Sequence, residues 1–161
     1  MLRIYEPDRE KSAAYARKWA YSRNPAYYSF DELGGDCTNF VSQCLYAGGA
    51  PMNYTKDTGW YYISPDDRAA AWMGVNYLYR FLTQNRSVGP FAQHSFLSRL
   101  LPGDIVMLRD SGRLYHSLIV VRAVHGRIFV AAHTNDVYNV PVEAYGYSEF
   151  VPLHIMCRSY S

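Results

Sequence analysis

The chain has 161 residues, 49% hydrophobic and 19% charged, which fits one soluble globular domain over residues 1–161. A net charge of +2 with no long basic run gives no ground for a nucleic-acid partner, and no apolar run approaches the length of a membrane helix. Three cysteines (Cys37, Cys44 and Cys157) with no CxxC pair make neither a disulfide framework nor a structural zinc site.

The first residues, MLRIYEPDREKS, lack a signal-peptide pattern, so the default expectation is a cytoplasmic chain, or one exported by another route. Residues 8–22 read as a helix, with Tyr15 above Trp19 and Ala16 above Ala20, stopping before Asn24-Pro25. A loop, RNPAYYSFDELGG, leads into the second helix. There Asp36 is placed to cap the first turn. Cys37, Phe40, Val41, Cys44, Leu45 and Gly48 form one buried stripe, and Gly48-Gly49 ends the helix.

Residues 50–99 are less regular. GWYYISPDDRAAAW reads as a loop and the start of a third helix, and 75–84 carries helical periodicity through Val75, Leu78, Tyr79 and Leu82. From residue 104 the pattern turns to β. GDIVML, RLYHSLIVVRAV and GRIFVAAHT are separated by hairpin turns at Asp110-Ser111-Gly112 and His125-Gly126, and FVPLHIMCRS closes the sheet. Helices followed by an antiparallel sheet make an α+β fold.

Cys37 has two readings. A buried helical cysteine is commonly a small hydrophobe. In the first turn of a helix, however, free N–H groups and the helix dipole stabilise an anion, and a cationic partner lowers the thiol pKa. The Cys37 N–H would face a developing oxyanion, and Gly34-Gly35 lets a substrate carbonyl approach the backbone. Cys44 shares the stripe but not the helix terminus, so it reads as core, as does Cys157 in the last strand.

A thiol nucleophile needs a base. His116 shares a strand face with Leu118 and Val120, and it reaches the helix terminus if that face packs on the cysteine helix. His133 ends the next strand and is a candidate third member, with Asn135 the alternative and Asp136 a weaker one. His94, His125 and His154 show no partner in the sequence.

The stretch GGDCTNFVSQCLYAGG, with YARKWA and RNPAYYSFD before it and GWYY, LPGDIV, YHSLIVV and AHTND after it, resembles the putative amidase domain family over about residues 15–141. That family is grouped with papain-like cysteine hydrolases, near the NlpC/P60 and CHAP peptidoglycan hydrolases. The resemblance implies a papain-like fold in which Cys37 is the nucleophile, Asp36 the residue before it and His116 the base. His133 or Asn135 then stands in the third position, and Asn24, Tyr27 and Tyr28 are candidate oxyanion donors. Trp60, Tyr61, Tyr62 and Trp72 are candidates to line the groove, or else core. The implied activity is hydrolysis of an amide in a peptide or a cell-wall peptide, with no cofactor or metal. Acyl transfer on the same site, a non-catalytic binding module, and zinc held by Cys37, His116 and His133 are the alternatives. The sequence leaves the oligomeric state open.

Overall fold

The structure, a computed structural model, describes residues 1–160. A short strand β1 (Leu2–Tyr5) precedes α1 (Arg9–Trp19). Asp8 caps α1 by accepting from the Lys11 N–H at 3.1 Å. The helix ends three residues earlier than the periodicity predicts. Its buried face is small, Ser12 and Ala16, so α2 (Cys37–Ala47) packs closely against it. Gly48, the C-cap of α2, is required there, because a Cβ would lie 2.1 Å from Ser12 Oγ.

The expected single stripe on α2 is too narrow. Every residue from Thr38 to Leu45 is buried, because α2 is enclosed by α1, by the sheet and by a further helix. A small hairpin, β2 (Tyr62–Ser64) with β3 (Asp67–Arg68), leads into that helix, α3 (Ala70–Met73), and α4 (Val75–Gln84) follows. The third helix predicted from the sequence is thus α3, a single turn.

The main sheet is built from β1, β4 (Gly89–His94), β5 (Ile105–Asp110), β6 (Arg113–Val124), β7 (Arg127–Ala132), β8 (Val137–Pro141) and β9 (Glu149–Tyr160), every neighbour antiparallel. Leu153 of β9 is paired with His94 on one side and Ile105 on the other; Cys157 is paired with Pro90 and Tyr5. The order is therefore β4-β9-β5-β6-β7-β8, with β1 beyond the end of β5 on the same edge of β9. The fold is α+β, as expected. Both predicted hairpin turns are present, with positive φ at Ser111 and Gly112 (51° and 78°) and at His125 and Gly126 (51° and 78°), the combination a two-residue hairpin turn needs.

Strand alternation divides the interior into two cores. Met107, Ile119 and Val121 face the helices, while Leu108, Leu118 and Val120 face a second cluster that also contains Leu100 and Val142. The Leu-Pro-Gly-Asp turn locks the layers together. Asp104, wholly buried, accepts from Arg9 Nη1 (2.9 Å) and from the Leu101 and Ile155 N–H groups (2.9 and 2.8 Å). His154 Nδ1 lies 3.1 Å from Asp104 Oδ2, the oxygen that also accepts from the Leu101 N–H, so this histidine does have a partner; so has His94, 2.8 Å from the Tyr79 hydroxyl.

Candidate active site

The loop into α2 is fixed by two glycines and one carboxylate. Gly34 and Gly35 have φ of 95° and 109°, and a Cβ on Gly35 would stand 3.0 Å from Thr134 Oγ1. The Asp36 N–H donates to that same oxygen at 3.3 Å. The Asp36 side chain does not cap the helix, contrary to the sequence expectation. It turns inward, 1% exposed, and Oδ1 accepts from the Phe30 N–H and Asn39 Nδ2, both at 2.8 Å. Its Oδ2 meets His133 Nδ1 at 2.6 Å. Thus Asp36 is a structural hub here, with no face open to a substrate.

His133 is equally committed. Nε2 lies 2.8 Å from the Trp19 carbonyl, which can only accept, so that nitrogen bears a hydrogen. The ring stacks on Phe40 with centroids 3.9 Å apart. Both ring nitrogens are engaged in joining α1, the α2 entry and β7. The arrangement of Cys37, His116 and His133 as zinc ligands therefore fails, and His133 does not orient His116. Arg23 closes the outer side, pairing with Asp31 (2.8 and 3.0 Å) and Asp136 (2.9 and 3.1 Å). The hydrogen bond from Arg23 holds the Asp31 carboxyl down at about 2.

Cys37 is the first residue of α2, and the Ser117 backbone amide lies against its sulfur, where it works to lower the thiol. The sheet explains why that amide is free. The Val120 N–H bonds Asp104 O on the β5 side, so by alternation the Ser117 N–H points to the β7 side, where β7 has already ended at Ala132. Thr38 Oγ1 lies 3.8 Å from the sulfur and 3.1 Å from Ser117 Oγ. Burial pushes the Cys37 thiol up; the bonds from Ser117 and Thr38 oppose this, and the Asp36 charge adds to it. Desolvation outweighs the local donors, and among the described residues no cation is hydrogen-bonded to the sulfur, so the lowering expected from the helix terminus is overcome.

His116 is 7% exposed, and burial pushes its imidazole down to about 4, so the ring is neutral at neutral pH. It pairs with Leu108 in the sheet and lies on the face of the second core. Its ring is flanked by Tyr115 and Tyr145, at centroid distances of 6.3 and 5.9 Å. The condition set by the sequence, that this face pack on the cysteine helix, is not met: α2 packs on the face of Ile119. Cys37 and His116 are still neighbours through the backbone, since the thiol sits on the very next amide. Among the described residues no hydrogen bond joins the two side chains.

The remaining expected residues are placed elsewhere. Asn135 is exposed at a left-handed turn (φ 58°), and among the described residues no hydrogen bond joins its side chain to His116. The Asn24 side chain is bonded to the Tyr15 hydroxyl (3.1 Å) and the Ala26 N–H (2.9 Å). The Tyr28 backbone is tied to Tyr62 OH and Asn39 Nδ2, and its ring lies 5.1 Å from that of Phe30. Trp60 and Trp72 are wholly buried core residues, bonded to Ser42 Oγ (3.0 Å) and Asn39 Oδ1 (2.9 Å), and line no groove. The sequence reading missed Thr38, Asn39 and Ser117. The signal available was their polarity inside segments otherwise patterned for burial.

Among the described residues no helix is long and apolar enough to cross a membrane. The chain is 32% identical over 139 residues to a Bacillus subtilis (strain 168) protein recorded as uncharacterized protein YhbB, a match covering 83% of this chain and 43% of that protein. This chain therefore spans less than half the length of that relative. No solved structure matches the chain. Residues 6–156, all but five residues at each end, match the family described as the putative amidase domain, and the chain belongs to that family.

Proposed function

We propose that the protein is a cysteine-dependent amidase acting on a peptide or cell-wall peptide, with Cys37 as nucleophile and His116 as base. The observation that carries the reading is the placement of a free thiol in the first turn of α2, against the Ser117 amide and one residue from a buried, neutral imidazole. Family membership supports amide chemistry.

In this reading the resting pair is a thiol and a neutral imidazole. His116 turns from Tyr145 toward the sulfur and takes the thiol proton as Sγ attacks the carbonyl carbon. The oxyanion is met by first-turn N–H groups of α2, which lack intrahelical acceptors. The C–N bond breaks as His116 returns that proton to the leaving amine. Water then attacks the thioester, gives a proton to His116, and the acid leaves as Sγ takes the proton back.

Amine release from purified wall muropeptides and from acetylated peptide anilides, followed by mass spectrometry, tests this. Removal of the base or nucleophile in His116→Ala or Cys37→Ala is expected to slow release by about a hundredfold or more. Release that persists in Cys37→Ala, or no release from either substrate class, refutes the proposal.

A further inference from the structure

The Thr38 and Ser117 hydroxyls form a pair that packing alone does not explain. Both residues are shut away from solvent, at 1% and 0% exposure. Each hydroxyl carries one hydrogen, and a buried hydrogen without an acceptor is costly. The 3.1 Å bond between them uses one hydrogen. For the other, the acceptor within reach among the described residues is Cys37 Sγ, 3.8 Å from Thr38 Oγ1. If Thr38 donated to Ser117, the Ser117 hydrogen would have no acceptor. Only the order Ser117 Oγ–H to Thr38 Oγ1, then Thr38 Oγ1–H to Cys37 Sγ, satisfies both groups. The Ser117 backbone amide lies against the same sulfur and works in the same direction on its proton. So donors converge on Sγ from a strand edge and from a helix side chain, as suits a sulfur that carries negative charge.

We infer that Thr38 and Ser117 are positioning residues for Cys37, a two-hydroxyl relay that presents a donor to the sulfur when it loses its proton. The relay rests on the reading of Cys37 as nucleophile. It unites Thr38 of the DCTN segment and Ser117 of the HSL segment in one role, in which Thr38 delivers the hydrogen and Ser117 orients Thr38. The relay also explains how a partly buried thiol can ionise without a hydrogen-bonded cation, since removal of the proton leaves the donors already aimed.

The test is the pH dependence of Cys37 alkylation by iodoacetamide in the whole protein, read peptide by peptide by mass spectrometry. Loss of the Thr38 hydroxyl in Thr38→Val is expected to move the alkylation midpoint up by about one pH unit. Thr38→Ser, which restores the hydroxyl, is expected to return it to the wild-type position. Ser117→Ala keeps the backbone N–H and is expected to move the midpoint the same way by less. It decides the matter if Thr38→Val does not fold, because an unmoved midpoint in folded Ser117→Ala overturns the relay. Folded Thr38→Val titrating like wild type overturns the relay while leaving Cys37 as a nucleophile. Wild-type Cys37 that resists alkylation across the whole range overturns both.

Discussion

The neutral imidazole of His116 makes a measurable claim about stability. Burial lowers its folded value to about 4 from an ordinary 6.5. A group lowered on folding leaves the unfolded chain holding more protons, so stability is full above the unfolded value and is lost as pH falls toward the folded one. Between about pH 8 and about pH 5 this one residue should remove about 2 kcal/mol of folding free energy. His116→Gln keeps a planar polar side chain but cannot titrate. Urea unfolding of both proteins across that range isolates the effect, because every other titrating group is shared and cancels in the difference. Wild type should lose about 2 kcal/mol more than the variant on acidification. Parallel profiles would mean that His116 takes up its proton in the folded state as easily as in the unfolded one. The placement of the ring between Tyr115 and Tyr145 would then be wrong.

Asp36→Ala should be severe, since it removes the partner of the Phe30 N–H, of one Asn39 Nδ2 hydrogen and of His133 Nδ1 together. At about 1–3 kcal/mol for each buried unsatisfied group, the loss rivals the whole stability of a small protein, and chemical denaturation should show a much reduced or absent folding transition. Asn135→Gly, which removes the side chain at an exposed residue while keeping its left-handed backbone (φ 58°) unstrained, should change stability by less than about 0.5 kcal/mol in the same assay and leave amine release unchanged. A large loss of release in that variant would restore Asn135 as the third catalytic member.

Local signals carried much of the fold. The hairpin turns at Ser111-Gly112 and His125-Gly126 were legible because left-handed backbone selects a small set of residues. The α2 helix was legible from its apolar spacing and its glycine stop. Strands β1, β4 and β8 were not. β1 has four residues, β4 begins at Gly89-Pro90, and β8 contains a left-handed Asn139 and ends in proline, so none shows clean alternation. Their pairing comes from partners distant in the chain.

Cys37 was legible as a site candidate because a cysteine directly after Gly-Gly-Asp at a helix start is a local arrangement. The sequence by itself determined the α+β class, both hairpins and the position of the thiol at a helix terminus. Only the tertiary structure decided the charge states and the contacts of the site. Which face of β6 meets α2 depends on register across the whole sheet, and that put Ser117 rather than the His116 side chain toward the helix. Whether a thiol is raised or lowered depends on how much water the surrounding layers remove, which no local pattern encodes. His133 and Asp36, separated by nearly a hundred residues, became one buried pair because the end of β7 and the entry to α2 meet in space.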